Sequence, residues 1–208
     1  MAQLPPLLVI TDRHATGGRP LRDVVLAALE GGARLIQLRE KDLEGGALFT
    51  LATELATLSR RFKARLLVND RIDVTLAAAA DGVVLPADSF PTAVARRLLG
   101  PNRLIARSTH TPVEVERAAD DGCDFALFGP VHVTPSKAAF GAPQGIGALR
   151  AATRAPLPVY AVGGLTVATA REALAAGAAG IAVIRAVMSA DDPARAVEEL
   201  LKELFHRR

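Results

Sequence analysis

The segment QLREKD at residues 37–42 has residue types and spacing that could carry chemistry. Gln37, Arg39 and Lys41 stand two positions apart, so in an extended segment their side chains point to the same side. Cations held at fixed positions bind phosphate oxygens and stabilise the negative charge that builds up on them. The triplet therefore predicts a site for phosphates, and the alternative is an ordinary solvated turn.

Carboxylates and an amide follow the next two apolar runs. Asn69 and Asp70 come directly after the run at 65–68, and Asp88 follows the run at 82–85. Mg²⁺ commonly takes one or two carboxylates while substrate phosphates complete its shell. Asp70 and Asp88 are therefore candidate magnesium ligands, although Asp70 could instead cap the helix that follows.

Short apolar runs alternate with helical patterns along the chain, which is typical of βαβ units and a parallel sheet. The sequence predicts eight strands, over 7–11, 34–38, 65–68, 82–85, 104–107, 125–129, 159–162 and 181–184. It predicts a helix after each strand, over 21–30, 46–61, a short stretch after Ile72, 91–98, 112–120, 146–153, 167–175 and 194–205. Eight such units in 208 residues predict an α/β fold, a single (β/α)₈ TIM barrel spanning 1–208, with an open doubly wound sheet as the alternative.

In such a barrel the active site lies at the carboxyl ends of the strands. Gly163 and Gly164 follow the seventh predicted strand, and Ile184 and Arg185 stand where the chain leaves the eighth. Barrels often hold a phosphate at these places with loop amides. The longest irregular segment, PVHVTPSKAAFGAPQG at 130–145, follows the sixth strand and has the length of a lid or binding loop. We expect a phosphate site at this end of the barrel.

Composition excludes several classes of protein. The net charge is only +3 and aromatic residues make up 4%, so the chain has little surface for stacking bases and we expect no nucleic-acid partner. Charged residues interrupt every apolar stretch, so we expect no membrane span. One cysteine, Cys123, cannot close an intrachain disulfide, and MAQLPPLLVITD lacks the features of a secretory signal, so we expect a cytoplasmic protein.

Five phrases together carry a resemblance to a known family. They are QLREKD at 37–42, VNDRID at 68–73, STHT at 108–111, FGPVHVTPSK at 128–137 and AVGGL at 161–165. In this order they resemble the thiamin phosphate synthase family, whose superfamily also contains the thiazole tautomerases. The resemblance implies a magnesium-dependent transferase of thiamine biosynthesis. Such an enzyme joins hydroxymethylpyrimidine diphosphate to a carboxylated thiazole phosphate and releases diphosphate.

The same resemblance implies a role for each matching residue. Arg39, Lys41 and Lys137 match catalytic contacts to the diphosphate, and Asp70 matches a metal ligand. The implied substrate-binding residues are Gln37, Asn69, Ser108, Thr134, Ser136, Gly163, Gly164, Ile184 and Arg185.

Two segments depart from the synthase pattern. After the fourth strand the chain has GVVLPADSF at 82–90, which sets Ser89 on the family's second metal aspartate and leaves Asp88 one position earlier as the substitute ligand. Ile184 and Arg185 replace a pair of a hydrophobic residue and serine, and arginine is still able to bind phosphate. The phrase L-P-x-x-S-F and the pair Arg107-Ser108 look more like the tautomerase branch.

Two other functions remain as alternatives. A metal-free thiazole tautomerase would need a histidine as acid and base, and only His110 and His132 lie on predicted strand-end loops. Against it, the tautomerase histidine would fall where this chain has Pro130. The other alternative is a catalytically silent phosphate-binding relative. The sequence leaves the oligomeric state open, a homodimer included.

Overall fold

The computed structural model describes residues 4–134 and 142–205 and contains a closed barrel of eight parallel strands in chain order. The strands are β1 Leu7–Ile10, β2 Leu35–Leu38, β3 Arg65–Asn69, β4 Gly82–Leu85, β5 Leu104–Thr109, β6 Phe125–Phe128, β7 Val159–Val162 and β8 Gly180–Val183. Strand β8 pairs with β1, with Leu7 beside Ile181 and Val9 beside Val183. The predicted closed barrel is therefore confirmed over the open sheet.

Helices surround the barrel, and one follows each strand. They are α1 Leu21–Glu30, α2 Gly45–Arg61, α3 Ile72–Ala77, α4 Thr92–Leu99, α5 Pro112–Asp120, α6 Gly145–Ala152, α7 Val167–Ala175, α8 Arg185–Met188 and α9 Pro193–Phe205. Among the residues described, no helix has the length and apolar character to cross a membrane.

The strands are apolar on both faces because each face is covered. One set of side chains fills the barrel interior, where Phe125 and Tyr160 are fully buried beside Leu35 and Leu67. The other set packs against the helices. This double burial explains why the strand sequences lack polar alternation.

Two short elements were missing from the sequence prediction, and two strands run past their predicted ends, β3 by one residue and β5 by two. A 3₁₀ turn at Arg13–Ala15 follows β1, and the four-residue α8 follows β8. Strand β5 runs to Thr109 rather than to residue 107, because Ser108 and Thr109 continue the pairing with Leu127 and Phe128 of β6. Polar residues at the carboxyl end of a strand resemble a loop in the sequence, which explains the short prediction.

Candidate active site

The carboxyl ends of β2, β3 and β4 surround a cavity of about 310 Å³. Four of the predicted site residues line it, namely Lys41, Asn69, Asp70 and Asp88. They come from segments up to 47 positions apart in the chain, and the barrel brings them together. Arg71 and Glu40 also line it, so two cations and three carboxylates share one cavity at the predicted end of the barrel.

Gln37 is a buried residue of β2 that contacts Asn69, one of the residues lining this cavity. Its side chain is buried, and its Nε2 donates a hydrogen bond of 3.1 Å to Oδ1 of Asn69. Its Oε1 is buried and finds no hydrogen-bond partner among the described residues. A buried acceptor without a donor costs free energy in the isolated protein, which favours a donor group on a bound ligand.

The acidic residues of QLREKD have structural roles that the sequence did not reveal. Glu40 is buried, and it accepts hydrogen bonds from the Thr11 hydroxyl at 2.6 Å and from the Arg13 backbone amide at 3.2 Å. Asp42 forms two bonds of 2.6 Å with the Arg13 guanidinium and lies 2.9 Å from Nε2 of His14. The guanidinium, and then His14, hold the pKa of Asp42 below its ordinary value.

This pairing leaves the two cations of the segment available. Arg39 is half-buried and Lys41 is exposed. Neither side chain forms a hydrogen bond or an ion pair with any residue that the structure describes. The carboxylates that could have neutralised them are bound to the segment after β1, so both cations remain free to bind an anion.

Asp70 has an unusual backbone conformation directly after β3. Its φ is +64°, and the amide of Arg71 donates to the carbonyl of Asn69 at 2.8 Å, which makes a γ-turn centred on Asp70. Left-handed φ values are uncommon for residues other than glycine, and they concentrate at functional sites. The alternative role as a helix cap is not observed, because α3 has no side-chain cap.

The segment after β4 places its two polar residues differently. Asp88 lines the cavity. The Ser89 hydroxyl instead donates a short hydrogen bond to Oδ1 of Asp70. Ser89 therefore orients one candidate ligand.

The glycine pair after β7 lies against the segment that follows β6. Gly163 and Gly164 have φ values of +97° and +65°, and a Cβ on them would lie 2.6 Å from Pro130 Cβ and 2.7 Å from His132 Cβ respectively. The amide of His132 also donates to the carbonyl of Gly163 at 3.1 Å. Glycine is required here both by the backbone conformation and by this close approach.

The remaining candidates belong in sequence to β5, to the segment after β6 and to the end of β8. Ser108 and Thr134 are half-buried, while Ser136 and Lys137 lie outside the described residues. Ile184 immediately precedes α8, and Arg185 begins it. Arg185 is exposed and lines a separate cleft of about 660 Å³ with Asp12 and Ser189, so its side chain is not among those lining the cavity of Asp70.

Both histidines of interest contact other groups of the protein. Nδ1 of His110 contacts the carbonyl of Gly129, and its backbone amide donates to Glu114 Oε2 at 2.6 Å. Nε2 of His132 lies 3.9 Å from Oε2 of Glu172 and has no hydrogen-bond partner among the described residues. The geometry shown contains no histidine paired with a nucleophile.

Together the fold and the polar cavity at the carboxyl ends of the strands are typical of a (β/α)₈-barrel enzyme. The family model described as thiamine monophosphate synthase matches residues 7–187. The chain belongs to this family, and it is an enzyme of the transferase class.

Individual relatives agree with this assignment. A protein of Geobacter sulfurreducens is 52% identical over 196 residues, which cover 94% of this chain and 92% of the relative. The thiamine-phosphate synthase of Roseiflexus castenholzii is 46% identical over 193 residues, covering 92% and 85%. The structure of thiamine phosphate pyrophosphorylase from Pyrococcus furiosus matches with a TM-score of 0.86 and 38% identity, covering 95% and 94%.

Proposed function

We propose that this protein is a thiamine-phosphate synthase that joins hydroxymethylpyrimidine diphosphate to a carboxylated thiazole phosphate and releases diphosphate. The observation that carries the proposal is the cavity at the ends of β2, β3 and β4, where Lys41, Asn69, Asp70 and Asp88 meet. Isomerising a thiazole monophosphate needs no such diphosphate site. The family and its named relatives support the same activity.

The residues after β2 suit the departure of diphosphate. When the bond between the pyrimidine methylene and oxygen breaks, negative charge grows on the diphosphate. Arg39 and Lys41, which no described carboxylate neutralises, stabilise that charge. Gln37 Oε1 is the acceptor that a donor group of the pyrimidine would satisfy. Lys137 is proposed as the third cation of this set because it ends the phrase FGPVHVTPSK, which resembles the family's.

The donors at the cavity fit Mg²⁺. Asp70 and Asp88 supply carboxylate oxygens, and Asn69 supplies an amide oxygen that also accepts a hydrogen bond from Gln37. That set suits an ion that takes few protein ligands and leaves the others to substrate phosphates. When bound, Mg²⁺ would neutralise diphosphate oxygens. Asp70 and Asp88 would hold it.

The second substrate is assigned to the region around β6, β7 and β8. Thr134, Gly163 and Gly164 are proposed to bind the thiazole phosphate, with Ser136, Ile184 and Arg185 completing the proposed set. A cytoplasmic location goes with this proposal, since the single cysteine, Cys123, is free and buried. A homodimer stays a prediction.

A coupled assay of diphosphate release tests the function. We expect release from the purified protein only when both substrates and Mg²⁺ are present, and none after EDTA is added. Isomerisation of the thiazole phosphate that continues in EDTA, without diphosphate release, would contradict the synthase and support the tautomerase. Binding of phosphates without turnover of any pair would support the silent relative.

A further inference from the structure

Arg107 holds the segment that connects β4 to α4. Its Nη1 donates to the carbonyls of Pro86 at 3.3 Å and Ala87 at 3.2 Å, and its Nη2 donates to the carbonyl of Phe90. One guanidinium therefore contacts both ends of the segment 86–90, which we call the β4–α4 loop. Its Nε is buried and has no partner among the described residues.

The barrel register explains how Arg107 reaches this loop. Arg107 of β5 pairs with Leu85, the last residue of β4, so its side chain starts beside the point where the loop begins. The loop turns back on itself, with the Ser89 amide donating to the Pro86 carbonyl at 3.2 Å. That carbonyl accepts from both Ser89 and Arg107, so the turn and the guanidinium support each other.

This loop carries two polar residues of the candidate metal site. Ser89 donates to Asp70, and Asp88 lines the cavity with Asp70. The path from Arg107 to the cavity is thus short: guanidinium, loop carbonyls, Ser89 hydroxyl, Asp70 carboxylate. Groups that orient metal ligands through hydrogen bonds strongly affect metal affinity.

Only arginine has the shape for this contact. Its planar guanidinium offers five donors in a fixed arrangement, whereas lysine is a point charge on a flexible stem. The structure also links the unusual phrases LPADSF and Arg107-Ser108, because the arginine of the second binds the backbone of the first.

We propose that Arg107 is a positioning residue, which fixes the β4–α4 loop so that Ser89 orients Asp70 and Asp88 faces the cavity. The metal part of this inference rests on the proposed function, while the loop part rests on the contacts alone. Arg107 touches no reacting group in this assignment and acts through the loop.

The test compares Arg107→Ala and Arg107→Lys with the wild type, and Arg103→Ala is the matched control. Arg103 is another guanidinium that binds backbone carbonyls, those of Ala80 and Leu99, but at the opposite end of β5. Hydrogen–deuterium exchange reports the order of residues 86–90. Electron paramagnetic resonance of Mn²⁺ with inorganic diphosphate reports metal affinity without turnover, and steady-state kinetics report KM for the thiazole phosphate.

In Arg107→Ala we expect exchange at 86–90 to become about tenfold faster or more, because the loop loses its contacts to β5. We expect Mn²⁺ affinity to fall about tenfold or more, as for other groups that orient metal ligands. KM for the thiazole phosphate should stay within about twofold, since that site lies at β6 to β8. Arg103→Ala should change neither exchange at 86–90 nor Mn²⁺ affinity.

Unchanged exchange at 86–90 in Arg107→Ala would overturn the proposal, and so would full recovery by Arg107→Lys, which would show that charge alone suffices. Where Arg107→Ala does not fold, Arg107→Gln replaces it. A wild type that binds Mn²⁺ but releases no diphosphate would fail the proposed function and leave this inference standing. A wild type that binds no Mn²⁺ would overturn its metal part.

Discussion

At the scale of single residues, the QLREKD segment shows what alternation can and cannot reveal. The spacing of Gln37, Arg39 and Lys41 was enough to predict that they act together. The burial of Glu40 could not be predicted in this way, because it depends on Thr11 and Arg13, which lie more than 25 positions away. A sequence shows which side a residue faces in its own strand, and its partners come from the fold.

The first prediction concerns Arg39 and Lys137, two of the three candidate catalytic cations. Arg39→Ala and Lys137→Ala should each lower kcat/KM of diphosphate release on the order of 10²-fold or more, because each removes charge that stabilises the leaving group. The controls are Arg61→Ala and Lys63→Ala, which change exposed cations at the last residue of α2 and two residues after it. Both should remain within about twofold of the wild type. Near-normal rates in both Arg39→Ala and Lys137→Ala would remove the assignment.

At the scale of elements, two separate requirements explain the glycine pair after β7: the backbone conformation of the turn and the close approach of a neighbouring segment. Its position in the sequence predicted a phosphate-binding turn, and the positive φ values agree with a tight turn. Its contact with Pro130 and His132 could not be predicted, since nothing in the sequence shows that the segment after β6 crosses the end of β7. The elements were predictable, and the approach of one to another was not.

The second prediction tests this close approach with Gly164→Ala. A Cβ there would lie 2.7 Å from His132 Cβ and 2.8 Å from the Val133 carbonyl, at a φ of +65°. We expect the free energy of unfolding to fall by about 1–3 kcal/mol and KM for the thiazole phosphate to rise, because the neighbouring segment must move.

Gly46→Ala provides the matched control for this variant. Gly46 lies in the first turn of α2, and a Cβ there meets nothing within 4 Å. Alanine should stabilise this position by about 0.5–1 kcal/mol and leave KM unchanged. Chemical denaturation and steady-state kinetics measure both effects. A Gly164→Ala protein as stable as the wild type would contradict the prediction, because it would show that the segment after β6 moves aside without a cost in free energy.

At the scale of the whole molecule, the number of strand–helix units was enough to predict the barrel, because eight apolar runs with helices between them leave few other arrangements. The pairing of β1 with β8, which closes the barrel, is seen only in the structure. Ile181 donates to the carbonyl of Pro6 at 2.9 Å, and the Tyr160 hydroxyl donates to the carbonyl of Pro5 at 2.7 Å, so the residues before β1 are fixed to β7 and β8. That the full range 1–208 forms one domain stays a prediction.

The last prediction uses the fact that Tyr160 is the only tyrosine in a chain without tryptophan. Burial in the barrel interior raises the pKa of the Tyr160 hydroxyl above its ordinary value. The near-ultraviolet absorbance of the phenolate should therefore stay absent in the folded protein well above pH 10, and should appear near pH 10, at about the ordinary pKa, once denaturant unfolds the chain.

The raised pKa of Tyr160 also determines how the free energy of unfolding changes with pH. Because the folded-state pKa lies above the unfolded one, the hydroxyl contributes its stability fully below about pH 10 and loses it as the pH rises further. At neutral pH, Tyr160→Phe should unfold with a free energy about 1 kcal/mol lower than the wild type, through loss of the hydrogen bond to Pro5. Above about pH 10 this difference should shrink, since only the wild type gains from ionising when it unfolds. A folded protein whose phenolate appears near pH 10 would show that water reaches the hydroxyl and that the segment before β1 does not seal this end of the barrel.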